Sequence, residues 1–147
     1  MPDFEAVWQR VRRLEPDLRQ QLTQRLEAAR QAAGDYASLA AGTRSQAARR
    51  LFLTHAAEEA ESVRRLQAAC FLLTGDSLPA PATPAQPPAH LLTALRQRHT
   101  QERADADALL AAAAAAPTEP LRGLLRDLSR VEAAHADALW RFLETRL

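Results

Sequence analysis

Glu132 and His135 stand one helical turn apart in the segment Glu132-Ala-Ala-His135, on a stripe that runs through Leu121, Leu125, Leu128, Leu139 and Phe142. Such spacing belongs to the buried face of a helix, so the acid and the imidazole point the same way as the leucines. A carboxylate taken out of water without a partner costs several kcal/mol, and something positive must neutralise it. Glu59 and Glu102 fall on the inward stripes of two further helices, with His55 four residues before Glu59 and His99 three residues before Glu102. Mixed carboxylate and imidazole donors at helical spacing suit Fe(II), Mn(II) or Zn(II) held inside a helical bundle. The donor types alone do not choose among these ions.

The elements that must position these residues are four long helices. Asp3 predicts a cap for a short extra N-terminal helix bearing Phe4, Val7, Trp8 and Val11, ended near Glu15-Pro16 because proline disfavours helix in the residue before it. A first long helix is predicted from about Pro16 to Ala40, with Leu18, Leu22, Leu26, Ala29, Ala33, Tyr36 and Ala40 inward, and Gly42-Thr43 breaking it. A second follows from about Arg44 to Leu73, with Leu51, Phe52, His55, Glu59, Ser62, Leu66, Ala69 and Leu73 inward and Gly75 as its stop. A third is predicted from about His90 to Ala115. A fourth runs from Glu119 to Leu147, capped by Thr118 with Pro120 in its first turn.

Between the second and third helices, residues 74–89 hold five of the nine prolines. At about 3.1 Å per residue in a polyproline-like form, such a segment covers roughly 45 Å. A helix of about 27 residues is roughly 40 Å long. The segment can therefore cross the whole length of a bundle, which predicts two antiparallel hairpins joined by one long crossover. The hairpins also align as a faint internal repeat. Pairing Glu59 with Glu132 pairs Phe52 with Leu125, Leu66 with Leu139, Tyr36 with Leu109 and Ala29 with Glu102.

In this arrangement Glu102, followed by Glu132-Ala-Ala-His135, resembles the ferritin-like superfamily, in particular the rubrerythrin-type di-iron domains. In that family each hairpin supplies one Glu from its first helix and a Glu-x-x-His from its second. The second hairpin matches completely. In the first, Glu59 takes the second-helix Glu position, but Ser62 stands where His is expected and Ala29 where Glu is expected. Glu27 is no substitute, since two residues of helix turn it about 200° away from Ala29.

The resemblance implies an all-α, ferritin-like four-helix bundle holding one or two iron ions and reducing peroxide or dioxygen. Glu59 and Glu132 would be the bridging carboxylates if two irons bind. With Ala29 and Ser62 in place, a single ion on Glu102, Glu132, His135 and Glu59 or a shifted His is an equal expectation. Helices two and three run the same way in this topology and helix four runs opposite, so His55, His99 and His135 are expected at one level beside the three glutamates. Rubrerythrins also carry a rubredoxin-type CxxC module, which this chain lacks, so redox turnover would need an external electron donor. The competing reading is a decayed site in a structural or protein-interaction module, motivated by Ala29 and Ser62.

Other side chains receive plainer readings. Glu58 and Glu61 flank the stripe of the second helix and are expected in solvent, as are Asp105 and Asp107 beside nearby arginines. Tyr36 reads as core, close enough to hydrogen-bond a ligand carboxylate, and Cys70 as packing.

Composition excludes more than it assigns. At 147 residues the chain reads as a single domain, 1–147. A net charge of +1, with 19 arginines, no lysine and no long basic block, argues against nucleic acid as a partner. One cysteine permits no internal disulfide and no CxxC motif, the N-terminus lacks the pattern of a signal peptide, and the apolar run 108–116 is too short for a membrane span. A cytoplasmic location is the expectation. Gly34, Gly42, Gly75 and Gly123 are too scattered for a phosphate-binding loop, and no spacing suggests a Ser-His hydrolase. Trp8, Trp140 and Phe142 exceed what one chain is expected to cover, which leaves room for a homodimer.

Overall fold

The computed structural model describes residues 4–75, 77 and 86–145, with residues 4–16 described by backbone alone. Four α-helices make up the described residues, without a strand: α1 Phe4–Gly42, α2 Gln46–Thr74, α3 Leu91–Ala115 and α4 Glu119–Glu144. None of them is long and apolar enough to cross a membrane.

α1 corrects one expectation. The chain does not break at Glu15-Pro16; a single helix of 39 residues runs through it. Proline inside a helix forfeits one backbone hydrogen bond and crowds the preceding turn, a penalty of roughly 3 kcal/mol, and helix continues on both sides of it here. The apolar face expected on Phe4, Val7, Trp8 and Val11, the Asp3 cap, the centre of the crossover at 78–85 and the last two residues of the predicted fourth helix lie outside the described residues or side chains.

The other ends follow local chemistry. Ser45 caps α2, its hydroxyl accepting from the Ala48 N–H at 3.2 Å. Gly75 closes α2 at φ 76°, a left-handed conformation that glycine adopts without steric cost, and its N–H donates to the Phe71 carbonyl. Thr118 stands at the N-cap of α4, yet its side chain caps nothing. Gly42 has no positive φ. Its value lies in close approach: a Cβ there would meet Pro88 Cδ at 2.7 Å, so the lack of a side chain lets the incoming end of the crossover seat on α1.

Two apolar layers set the topology. One joins Leu22, Leu26 and Ala29 of α1 to Val63 and Leu66 of α2, Leu109 and Ala113 of α3, and Leu121, Leu125 and Leu128 of α4. The other joins Tyr36, Leu39 and Ala40 to Ala48 and Phe52, Leu95, and Leu139. The order in which each helix visits the layers makes α2 and α3 parallel to one another and antiparallel to α1 and α4. Backbones lie close between α1 and both α2 and α3, and between α4 and both α3 and α2, while the diagonal pairs meet only through side chains at the centre. Every neighbour is antiparallel, and α2 ends and α3 begins at opposite ends of a four-helix bundle. Between Ala29 and Tyr36 the buried alanine of α1 is Ala32 rather than Ala33, because the stripe drifts along a 3.6-residue helix.

Candidate metal centre

Between the two apolar layers the core turns polar. Glu59 of α2, Glu102 of α3 and Glu132 and His135 of α4 are all at most 3% exposed, and one donor atom from each lies within 4.8 Å of the others. This buried group can hold a metal ion. Donors about 2.1 Å from a single ion are about 3.4 Å apart in a tetrahedron and at most about 4.2 Å apart when opposite one another, so the four would draw together by about an ångström. Glu59 Oε2, both oxygens of Glu102 and Glu132 Oε2 are buried without hydrogen-bond partners, as donors awaiting a cation would be.

Burial drives the electrostatics. The Glu102 carboxyl is pushed up to about 9, by desolvation first and by its contact with Glu132 second, with Arg98 opposing. Glu59 rises to about 8 by desolvation, with Glu102 adding to it and hydrogen bonding with Glu132 and the charge of Arg98 opposing. Glu132 also rises to about 8, again through desolvation before the effects of its two glutamate neighbours. Three carboxyls packed together in a dry core cannot all ionise alone. Without a metal they retain protons at neutral pH, and a divalent cation would displace them.

His135 is held at both nitrogens. Nδ1 faces inward, 3.0 Å from Glu59 Oε1 and 4.0 Å from Glu102 Oε1. Nε2 faces outward, 2.6 Å from Glu58 Oε2. A proton donated from Nε2 to Glu58 leaves the Nδ1 lone pair for an ion, the usual arrangement of an imidazole ligand oriented by an outer carboxylate. Glu58 is half-exposed, as expected for its flank, but its carboxylate turns back to the site. Sequence spacing missed that contact, because it crosses from α2 to α4.

His55 and His99 take different places. His55 is buried and stacked on His135, ring centroids 4.0 Å apart, and Tyr36 meets both rings edge-on. It is not among the four converging donors. Burial and the neighbouring His135 lower His55 to about 4, so it is neutral at physiological pH. His99 leaves the site altogether and packs beside Trp140 at 5.5 Å, at the mouth of a surface cavity. The expected level of three histidines is therefore two histidines and a tyrosine. The reason is angular. Arg98, four residues before Glu102, lies about 40° from it around the helix, whereas His99, three before, lies about 60° to the other side.

Arg98 takes the inward position. Its side chain is 1% exposed, the largest fully buried group in the described chain. Nη1 donates to Asp35 Oδ2 at 3.0 Å, Nη2 donates to Asp105 Oδ2 at 3.1 Å, and Nε lies 3.2 Å from Glu102 Oε1. The last is an ion pair without hydrogen-bond alignment, since both atoms lack a hydrogen-bond partner. Asp105 is thus buried rather than exposed, and Asp107 is exposed as expected. The spacing Arg98, Glu102, Asp105 follows the same i, i+4, i+7 pattern as Leu95 and Leu109 and was the available signal. The Tyr36 hydroxyl is buried beside Glu102 without a well-formed hydrogen bond, and burial followed by the Glu102 charge suppresses its ionisation.

Ala29 and Ser62 face the other side of Glu132. They line a cavity of about 10 Å³ with Arg25, Asp105, Leu66 and Leu128, room for about one water. The Ser62 hydroxyl donates back to the Glu58 carbonyl at 3.2 Å, and Arg25 Nη1 lies 4.0 Å from Asp105 Oδ1.

Comparison with protein-family models, curated proteins and solved structures returned no match. Fold and site therefore define a class by themselves: an all-helical four-helix bundle with a buried three-glutamate, one-histidine cluster able to hold a metal ion.

Proposed function

We propose that this chain is a ferritin-like metalloprotein that binds iron through Glu59, Glu102, Glu132 and His135 and uses it to reduce peroxide or dioxygen. The observation that carries the reading is the convergence of four buried donors from three helices within 4.8 Å. Most of their carboxylate oxygens have no hydrogen-bond partner. The resemblance of Glu102 and Glu132-Ala-Ala-His135 to rubrerythrin-type half-sites favours iron, and manganese and zinc suit the same donors.

The metal would supply Lewis acidity or, as iron, electrons. The chain's own residues do the rest. Three glutamates and Nδ1 of His135 bind, Glu58 orients the imidazole from outside, and Tyr36 and His55 close the site toward one apolar layer and limit water. Electrons would come from an external donor.

Metal content of untagged protein purified without chelators, beside a Glu132→Ala, His135→Ala variant, tests the binding step. Bound iron in the first and none in the second is the expected result; equal content in both sinks the reading. The competing structural module draws on one observation, that Arg98 already pairs with Glu102. Thermal unfolding separates the two. A true ligand at a hundredfold excess over its dissociation constant adds about 2.7 kcal/mol of stability, and an unchanged midpoint with iron, manganese and zinc alike favours the module.

A further inference from the structure

We propose that Arg98 is a built-in cation that restricts this centre to one divalent ion, its guanidinium holding the carboxylates that a second ion would need. The inference rests on the metal-binding reading above and fixes the number of ions.

Charge balance argues it first. When ionised, Glu59, Glu102, Glu132 and Asp105 bring four negative charges into the core, all four residues being at most 5% exposed. Arg98, 1% exposed, lies among them beside Glu102 and Asp105 and already offsets part of the charge that would draw a second divalent ion in.

Ligand supply argues it again, independently. The space on the far side of Glu132 is about 10 Å³, and Ala29 brings no donor to it. The Ser62 hydroxyl is turned to a backbone carbonyl, and Asp105 is engaged by the Arg98 fork and by Gln101 Nε2 at 2.8 Å. Arginine is the suitable residue for this place. Its charge is permanent and its planar fork reaches three carboxylates at once. Asp35, the third of these, is about two-fifths exposed and ties Arg98 to α1.

The test is ion counting on the full chain. Mn(II) is titrated into metal-free protein and followed by equilibrium dialysis and by electron paramagnetic resonance, where two nearby ions show magnetic coupling and one does not. Wild type is expected to bind one Mn(II) per chain, uncoupled. Arg98→Lys, which keeps the charge, is expected to bind one. Arg98→Gln, which removes it and adds an oxygen donor, is expected to bind two that are coupled. Two coupled ions in wild type, or a folded Arg98→Gln variant that still binds one, overturns the proposal. Should Arg98→Gln fail to fold, the wild-type count decides, two ions overturning and one supporting. No binding in wild type overturns the metal reading itself, and this inference with it, and is distinct from a count of two.

Discussion

His135 and Glu58 are joined across α4 and α2 by a 2.6 Å contact between Nε2 and Oε2, while the opposite nitrogen of the same ring faces the buried carboxylates. One half-exposed glutamate thereby sets which nitrogen of a buried histidine is free to act. Glu58→Ala should weaken metal affinity by roughly 10- to 100-fold, the usual cost of losing an outer carboxylate on a ligating imidazole. Because Glu58 is the partner of Nε2 on the buried His135 ring, the metal-free fold should also lose about 1 to 3 kcal/mol, the cost of orphaning a buried polar group. Competition titration against a chelator, beside a denaturation curve, checks both; unchanged affinity would remove Glu58 from the site.

The carboxyl cluster makes the metal-free protein sensitive to base. Glu59, Glu102 and Glu132 have folded-state values raised to about 8 or 9 from 4.5. Their contribution is fully present below the unfolded value and is lost as pH rises through the folded ones. His55 works oppositely, since its value is depressed to about 4. It weakens the fold on acidification from about pH 6.5 to pH 4 and contributes no slope above its unfolded value. Metal-free stability should therefore fall between pH 6.5 and pH 9, by about 2 kcal/mol or more. Urea midpoints across that range, with a chelator present, are the measurement, and a flat profile would contradict the raised values.

Metal should reverse that slope. Binding displaces protons from the same carboxyls, so affinity should climb about tenfold or more from pH 6 to pH 8. Weakly buffered protein should acidify on addition of Mn(II). Calorimetry in buffers of different ionisation enthalpy counts the protons released, and a count near zero would place the ion elsewhere.

Gly42 and Pro88 give a prediction about the fold alone. A methyl group at 42 would press against Pro88 Cδ, a ring atom that cannot swing aside. Gly42→Ala should destabilise by about 1 to 3 kcal/mol, the range for overpacking, in spite of alanine's better helix propensity. Gly34→Ala, with nothing within 4 Å of the new Cβ, should instead stabilise by up to about 1 kcal/mol. Equal effects at the two positions would remove the close approach as a cause.

Much of the bundle was legible because helical periodicity is a property of the chain itself. Leu22, Leu26, Phe52, Leu66, Leu121, Leu125, Leu128 and Leu139 are buried at the positions their spacing implies. Gly75 ends α2 by its own left-handed backbone. The inward direction of Glu59, Glu102, Glu132 and His135 was readable for the same reason. Pro16 was misread because a local bias against helix is a preference that continuing helix on both sides can outweigh.

What the sequence by itself determined, then, is which face each helix buries and that three glutamates with His55 and His135 point into a core of leucines; its third inward histidine, His99, lies beside Trp140 instead. Only the tertiary structure decided what those groups meet. It set His99 beside Trp140, joined Arg98 to Asp35 of α1 and stacked His55 on His135. It also turned Glu58 back from the surface to the ring of His135. A period of 3.6 residues fixes the direction of a side chain from its own axis, while its partner depends on the stagger of neighbouring helices and on reach. Arg98 and Glu58 have the reach, and the antiparallel packing of α1 and α4 about them supplied the partners.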